Sequence, residues 1–207
     1  MKVLLIDDHY VVRQGVSMML AKYLSKVSIH QAESLTKAYN NVNRHVFDLV
    51  ILDVHFPKGS SMDLLLYMKL KSPSTKILIL SGMIEEQYAV RYIQAGADGY
   101  LDKLGTEKEL QCALNAINEN KIYVSNVIKE KVTSAVLRNE PVNALEVLSN
   151  RELEVARLLS SGEGNLEIAN KLNLSSNTVS TYKYRVFDKL KINNIISLAS
   201  VLRTYSN

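Results

Sequence analysis

The sequence holds 207 residues, 47% hydrophobic and 22% charged, with a net charge of +4. That balance excludes a disordered chain and suits two modest globular domains better than one. The single cysteine excludes an internal disulfide and a thiolate metal cluster, and no apolar stretch approaches the roughly 18 residues of a membrane span.

The chain opens with a lone Lys2 before VLLID, a segment too short and too acidic for a signal peptide, so a cytoplasmic location is expected. VLLIDD predicts a first strand that ends at Asp7, with Asp8 beside it. A helix is expected over about Tyr10–Leu24, a second strand to near Ala32, and a helix over Ser34–Asn43. FDLVILDVHFP supplies a third strand to Leu52, with Asp53 directly beyond it. A helix over Ser60–Lys71 leads to KILILS, a fourth strand to Leu80 followed by Ser81. After a helix over Glu85–Gln94, the glycines of AGADGY return the chain to a fifth strand ending at Leu101, with Lys103 two residues on. Thr106 to Glu109 fits a capping box for a helix reaching Asn118. Cys112 falls among apolar residues there and is expected to be a buried, inert thiol.

Runs of Val, Ile and Leu read as strands buried on both faces, and strict alternation with helices predicts a parallel sheet covered on both sides. Parallel strands end on one edge, where open α/β sheets bind ligands. Asp7, Asp8, Asp53, Ser81 and Lys103 all stand at strand ends and should converge there. Carboxylates this close do not all remain ionised without a cation among them, and Mg²⁺ prefers such oxygen ligands. Phosphoryl transfer needs positioning and charge stabilisation, so Asp53 suits the acceptor, Asp7 and Asp8 the metal, and Ser81 and Lys103 the phosphoryl oxygens.

Asp7–Asp8, Asp53, Pro57, Ser81, Tyr100 and Lys103 together resemble the receiver domain of bacterial two-component response regulators, over about residues 1–120. The resemblance implies a flavodoxin-like (βα)5 doubly wound fold and phosphorylation of Asp53 by a sensor histidine kinase. It also implies Mg²⁺ held by Asp7, Asp8, Asp53 and the His55 backbone carbonyl, and a switch in which Ser81 and Tyr100 carry the change outward, Tyr100 turning inward. Two positions depart from the common pattern: Ser61 replaces a glycine after the proline turn, and Gly82 replaces an alanine. His55 and Met83 occupy positions that tune the lifetime of the phosphate in the family.

Periodicity weakens over 123–144, which includes Pro141, and a partly helical connector is expected there; an extra helix packed on the first domain is the other reading. From Leu148 onward the pattern is helical throughout. Ser149 to Glu152 fits a second capping box, with the helix stopping at Gly162, and further helices are expected over Asn165–Leu172, Ser176–Leu190 and Ile195–Tyr205. The short turn Asn173–Ser175 makes the middle pair a helix-turn-helix, whose second helix enters the DNA major groove. On that helix Val179, Val186 and Leu190 can face a core. Asn177, Thr178, Ser180, Thr181 and Tyr184 present groups suited to DNA, and Lys183, Arg185, Lys189 and Lys191 suit phosphates.

The stretch from 147 to 202 resembles the LuxR-type helix-turn-helix of the NarL/FixJ subfamily, through Leu148, Arg151-Glu152, Glu154-Val155, Gly162, Glu167-Ile168-Ala169, Leu172, Ser175, Thr178-Val179 and Lys189-Leu190. Ser180 and Tyr182 stand where lysine and histidine are common, so the DNA target of lysine-bearing members does not carry over. Charge alone is a weak guide: residues 1–122 hold 14 basic and 13 acidic residues, and 145–207 hold 8 and 6.

The expected organisation is therefore a receiver domain over 1–122, a linker over 123–144 and a small all-α DNA-binding domain over 145–207. The expected function is a transcription regulator, not an enzyme, in which phosphorylation of Asp53 alters dimerisation and binding to double-stranded promoter DNA. A homodimer is expected on activation, with Ile195, Ile196, Leu198 and Leu202 of the last helix serving either the dimer contact or the core. The alternative is a phosphorylation-independent dimeric DNA binder with a residual acidic pocket. A phosphatase acting on small molecules is disfavoured, because no second domain resembles a substrate cap.

Overall fold

The computed structural model describes residues 1–83, 85–138 and 144–204, and the chain divides into two compact units, Met1–Glu130 and Lys131–Asn207. Pro141 of the expected connector and Tyr205 at the end of the expected last helix lie outside the described residues.

The first unit alternates strand and helix: β1 (Lys2–Ile6), α1 (Tyr10–Tyr23), β2 (Ser28–Ala32), α2 (Leu35–Arg44), β3 (Leu49–Leu52), α3 (Ser61–Lys71), β4 (Lys76–Ser81), α4 (Glu85–Gln94), β5 (Gly99–Asp102) and α5 (Glu107–Asn118). The strands form one parallel sheet in the order β2-β1-β3-β4-β5. Chain direction across the sheet therefore reverses between β1 and β3, and ligands bind at such a crevice. β3 is buried along its whole length, as are Leu4, Leu5, Ile77, Leu78 and Ile79 beside it, which is why these segments read as unbroken apolar runs. One face of the sheet packs Leu5, Ile51 and Leu78 against Val16 and Leu20 of α1 and Leu110, Ala113, Leu114 and Ile117 of α5.

The same spacing corrects the expectation for Cys112. Buried positions on α5 are Leu110, Ala113, Leu114 and Ile117, and Cys112 falls on the opposite side of the helix, exposed.

The start of the expected connector is tied to the first unit. Tyr123 donates its N–H to Asp98 O at 3.0 Å and accepts from Tyr100 N at 2.9 Å, pairing with the edge of β5. Gly99 permits this approach, because a Cβ there would stand 3.2 Å from Tyr123 O and 3.0 Å from Leu78 Cδ1. A helix, α6 (Asn126–Arg138), follows, with Ile128 buried and the Ser125 N–H bonded to Glu85 Oε1.

The second unit holds a 3₁₀ turn (Ala144–Val147), α7 (Asn150–Ser160), α8 (Asn165–Leu172), α9 (Ser176–Leu190) and α10 (Ile195–Thr204). Its core comprises Leu153, Val155, Ala156 and Leu159 of α7, Ile168 and Leu172 of α8, Val179 and Val186 of α9, and Leu198 and Leu202 of α10. Both capping boxes form, at Thr106 with Glu109 and at Ser149 with Glu152. On α10 the apolar residues divide: Leu198 and Leu202 are buried, whereas Ile196 is 82% exposed.

Candidate functional site

Two sets of residues stand out, one at the carboxyl edge of the sheet and one on α9. Asp7 and Asp8 leave β1, Asp53 leaves β3, Ser81 ends β4 and Lys103 follows β5, so sheet register brings all five to one edge. The Asp53 N–H continues the ladder to Ile6 O at 2.9 Å, and the Lys103 N–H bonds Ser81 O at 2.9 Å, which holds each loop close to its neighbouring strand.

Lys103 Nζ lies 2.8 Å from Asp53 Oδ2 and 2.8 Å from Asp7 Oδ2, bridging the two carboxylates. Burial pushes the Asp53 carboxyl above the usual carboxylate range, while Lys103 and the His55 N–H, both hydrogen-bonded to it, pull the other way. Burial pulls the Lys103 ammonium down, but Asp53 and Asp7 outweigh it and hold the group above its ordinary value. The lysine therefore stays charged at neutral pH. Asp7 Oδ1 accepts from the His9 N–H at 2.8 Å, and the Asp7 carbonyl accepts from the buried Arg13 guanidinium at 2.8 Å.

One ammonium faces three carboxylates in this pocket. Oxygen atoms of Asp7, Asp8 and Asp53 and a ring nitrogen of His9 all lie within 4.8 Å of one another. Asp7 Oδ2 and Asp8 Oδ1 are buried without an aligned hydrogen bond; their close neighbours are Lys103 Nζ and His9 Nδ1, the latter 2.7 Å from Asp8. Buried carboxylate oxygens left this way suit a hard divalent cation, so the donor set fits Mg²⁺. His9 was not expected in the cluster; its place directly after the Asp7–Asp8 pair was the one signal in the sequence.

Ser81 is fully buried, and its Oγ accepts from the Met83 N–H at 3.1 Å. Tyr100, expected to turn inward on phosphorylation, stands inward in this structure. Its ring is fully buried and its hydroxyl donates to Met83 O at 3.2 Å, beside Ser81. Burial pushes the Tyr100 phenol far above its ordinary value, so it remains a donor at every physiological pH. A Cβ added at Gly82, the residue after Ser81, would meet nothing within 4 Å.

The second set lies on α9. Asn173 takes a left-handed conformation (φ 52°) at the end of α8, where Leu174 N bonds Ala169 O, and Ser175 caps α9 by accepting from Thr178 N at 3.1 Å. With Val179 and Val186 turned to the core, Asn177, Ser180, Thr181, Tyr184 and Arg185 are exposed on the outer side, Tyr184 by 73%. The hydroxyl of Ser180 is engaged twice, donating to Ser176 O and accepting from Asn165 Nδ2 at 2.9 Å, which ties α9 to α8. Thr181 Oγ1 donates to Asn177 O and keeps its acceptor capacity. Lys183 Nζ lies over the Phe187 ring, 5.7 Å from its centroid.

Lys189, expected to meet DNA phosphate, places its Nζ 2.7 Å from Glu152 Oε2, whose side chain is buried and also accepts the Ser149 N–H at 2.6 Å. Burial pushes Glu152 up, but Lys189 and Ser149 outweigh it and hold the carboxyl below its usual range. A depressed carboxyl adds stability above its unfolded value, near 4.3, and that stability is lost as pH falls through the lower folded value. Glu152→Gln should therefore cost about 1–2 kcal/mol at neutral pH, the scale of a lost cap, and less in acid. Thermal melts at pH 7 and pH 4 test this; an equal loss at both would mean that the charge contributes nothing.

Each set lies within a stretch that matches a known protein family. Residues 3–115 match the model of the response regulator receiver domain, and residues 146–202 match that of the bacterial regulatory proteins of the luxR family. The oxygen regulatory protein NreC of Staphylococcus epidermidis is 32% identical over 201 residues, covering 93% of this chain and 92% of that protein. The response regulator GacA of Pseudomonas syringae pv. syringae is 30% identical over 199 residues, covering 96% and 93%. Among solved structures, RcsB of Salmonella enterica serovar Typhimurium, bound to promoter rprA in the presence of the phosphomimetic BeF3−, has a TM-score of 0.65 at 27% identity, covering 99% of each chain. A structure of two RcsB dimers bound to two parallel DNAs has a TM-score of 0.59 at 27% identity, covering 99% of this chain and 98% of that one.

Proposed function

The chain belongs to the response regulators that join a receiver domain to a LuxR-type DNA-binding domain, and from that premise we propose that Asp53 is its phosphoacceptor and α9 its reader of promoter DNA. The observation that carries this reading is Lys103 Nζ, 2.8 Å from both Asp53 and Asp7, at an edge that also holds buried carboxylate oxygens without aligned donors.

In the proposed transfer, an Asp53 carboxylate oxygen attacks the phosphorus of a phosphohistidine on a sensor histidine kinase. The new O–P bond forms as the P–N bond breaks, and the imidazole nitrogen keeps the electron pair and takes up a proton. Lys103 neutralises charge on the phosphoryl oxygens, and the His55 N–H orients the acceptor. Asp7, Asp8, Asp53 and the backbone carbonyl of His55 would hold Mg²⁺, which offsets phosphoryl charge when bound. The phosphoryl group adds about −1.5 to −2 charge. Ser81 supplies a hydroxyl for it, and the Met83 backbone links Ser81 to the Tyr100 hydroxyl, carrying the change to α4.

The proposed domains are the receiver over 1–122, the connector over 123–144 and the DNA-binding domain over 145–207. The output is a change in dimerisation and in DNA affinity rather than turnover of a substrate, in the cytoplasm where promoter DNA lies. A two-fold dimer matches an inverted-repeat site. Asn177, Thr181 and Tyr184 face base edges, with Thr178 and Ser180 at the start of the helix and Lys183 and Arg185 toward phosphates.

Ser81→Ala should retain phosphorylation and lose the dimer response, because the hydroxyl reports the phosphate without forming the bond. Lys103→Ala should slow phosphorylation about 100-fold, the scale of removing one charge-stabilising donor, and lose the response as well. Ultracentrifugation with and without beryllofluoride reads the dimer fraction. A normal response in both variants rejects Ser81 and Lys103 as the switch, whereas a wild type whose dimer fraction does not change with beryllofluoride favours the phosphorylation-independent reading.

A further inference from the structure

Ser61 stands where the family's pattern has glycine, and its side chain is not idle. It is 2% exposed, at the first turn of α3, and its Oγ donates to the Val54 carbonyl at 2.6 Å. Tyr92 of α4 is fully buried, with its hydroxyl 2.8 Å from the same Oγ. The single Ser61 hydroxyl proton is committed to Val54, whose carbonyl can only accept, so Tyr92 is the donor in the second bond.

The Val54 carbonyl and the His55 N–H belong to one peptide unit. That N–H is hydrogen-bonded to the Asp53 carboxylate. An unbroken chain therefore runs from the Tyr92 hydroxyl through the Ser61 hydroxyl and the Val54–His55 peptide to the side chain of Asp53. Hydrogen bonds in series polarise one another, and a bond to the carbonyl of a peptide strengthens its N–H as a donor. It also fixes the plane of that peptide, and with it the direction in which the N–H points.

We infer that Ser61 and Tyr92 are positioning residues for phosphoryl transfer, a second line between α4 and Asp53 that runs beside the one through Ser81, Met83 and Tyr100. The inference rests on the reading of Asp53 as phosphoacceptor. Neither residue touches the phosphoryl group. Their effect is exerted through the His55 N–H, which aligns the attacking carboxylate. Because the line is continuous, it works in both directions: a shift of α4 alters the reactivity of Asp53, and phosphorylation of Asp53 alters the hydrogen bond that anchors Tyr92.

The test uses the full chain carrying Ser61→Ala, Tyr92→Phe or both, with thermal melts to confirm folding; Tyr92→Phe keeps the buried ring. Each variant should take the phosphoryl group from acetyl phosphate in Mg²⁺ about three- to tenfold more slowly, the rate equivalent of one net hydrogen bond. The double variant should match the slower single variant, because one broken link already interrupts the series. The His55 amide proton resonance should move upfield in all three, before any phosphorylation. A labelled wild type with variants unchanged in rate and in the His55 resonance overturns the inference alone, as do effects of the two substitutions that simply multiply. A wild type that takes no label overturns the phosphoacceptor assignment, and this inference with it.

Discussion

Asp53→Asn abolishes transfer of the phosphoryl group from acetyl phosphate in Mg²⁺, the largest effect expected of any single substitution here. The amide is a poor nucleophile and a weak ligand for a hard cation, so acceptor and metal site are lost together. The fold should not suffer. Burial raises the Asp53 carboxyl above its unfolded value, so this group favours the fold below the unfolded value and loses that contribution as pH rises through the folded one. At neutral pH an ionised Asp53 is therefore a cost, and the neutral amide should leave the melting temperature unchanged or higher. Lys103 keeps Asp7 as a partner in the variant. Phosphate incorporation measured beside a thermal melt separates loss of chemistry from loss of structure. A variant labelled at the wild-type rate would mean that another residue is the acceptor.

On α9 the expected result is a division between positioning and reading. Lys183→Ala and Arg185→Ala should weaken binding to all sequences alike and flatten its salt dependence, by about 0.9 in slope for each phosphate no longer neutralised. Thr181→Ala and Tyr184→Ala should instead relax preference at particular base pairs, at about 1–3 kcal/mol for each base read. Ser180 belongs with neither group, because both uses of its hydroxyl are internal. Lys189→Ala should act on stability through Glu152 before it acts on DNA. Site selection from a random DNA pool, repeated at two salt concentrations, reads both outcomes. If the cationic variants changed the preferred sequence and the Thr181 and Tyr184 variants did not, a different face of α9 would enter the groove.

Much of the molecule was determined by sequence alone, for a local reason. Unbroken Val, Ile and Leu runs mark strands buried on both faces, and their ends carry Asp7, Asp53, Ser81 and Lys103, so parallel alternation already implies one shared edge. Strand and helix bounds follow the pattern closely: α4, α8 and α9 begin and end where expected. Capping boxes at Thr106 and Ser149 are contained in four residues each and were legible for that reason.

Tertiary structure decided whatever depends on a partner distant in the chain. Cys112 sits in an apolar stretch, yet the face that α5 turns to the sheet leaves it outside. Lys189 has the spacing of a phosphate ligand, and its ion pair with Glu152, 37 residues away, is written nowhere near it in the chain. Ser61 looked like a mere departure from a glycine until α4 placed Tyr92 against it, 31 residues on. Periodicity records which side of an element is buried, whereas the partner of a polar atom is chosen by the packing of elements that no local pattern encodes.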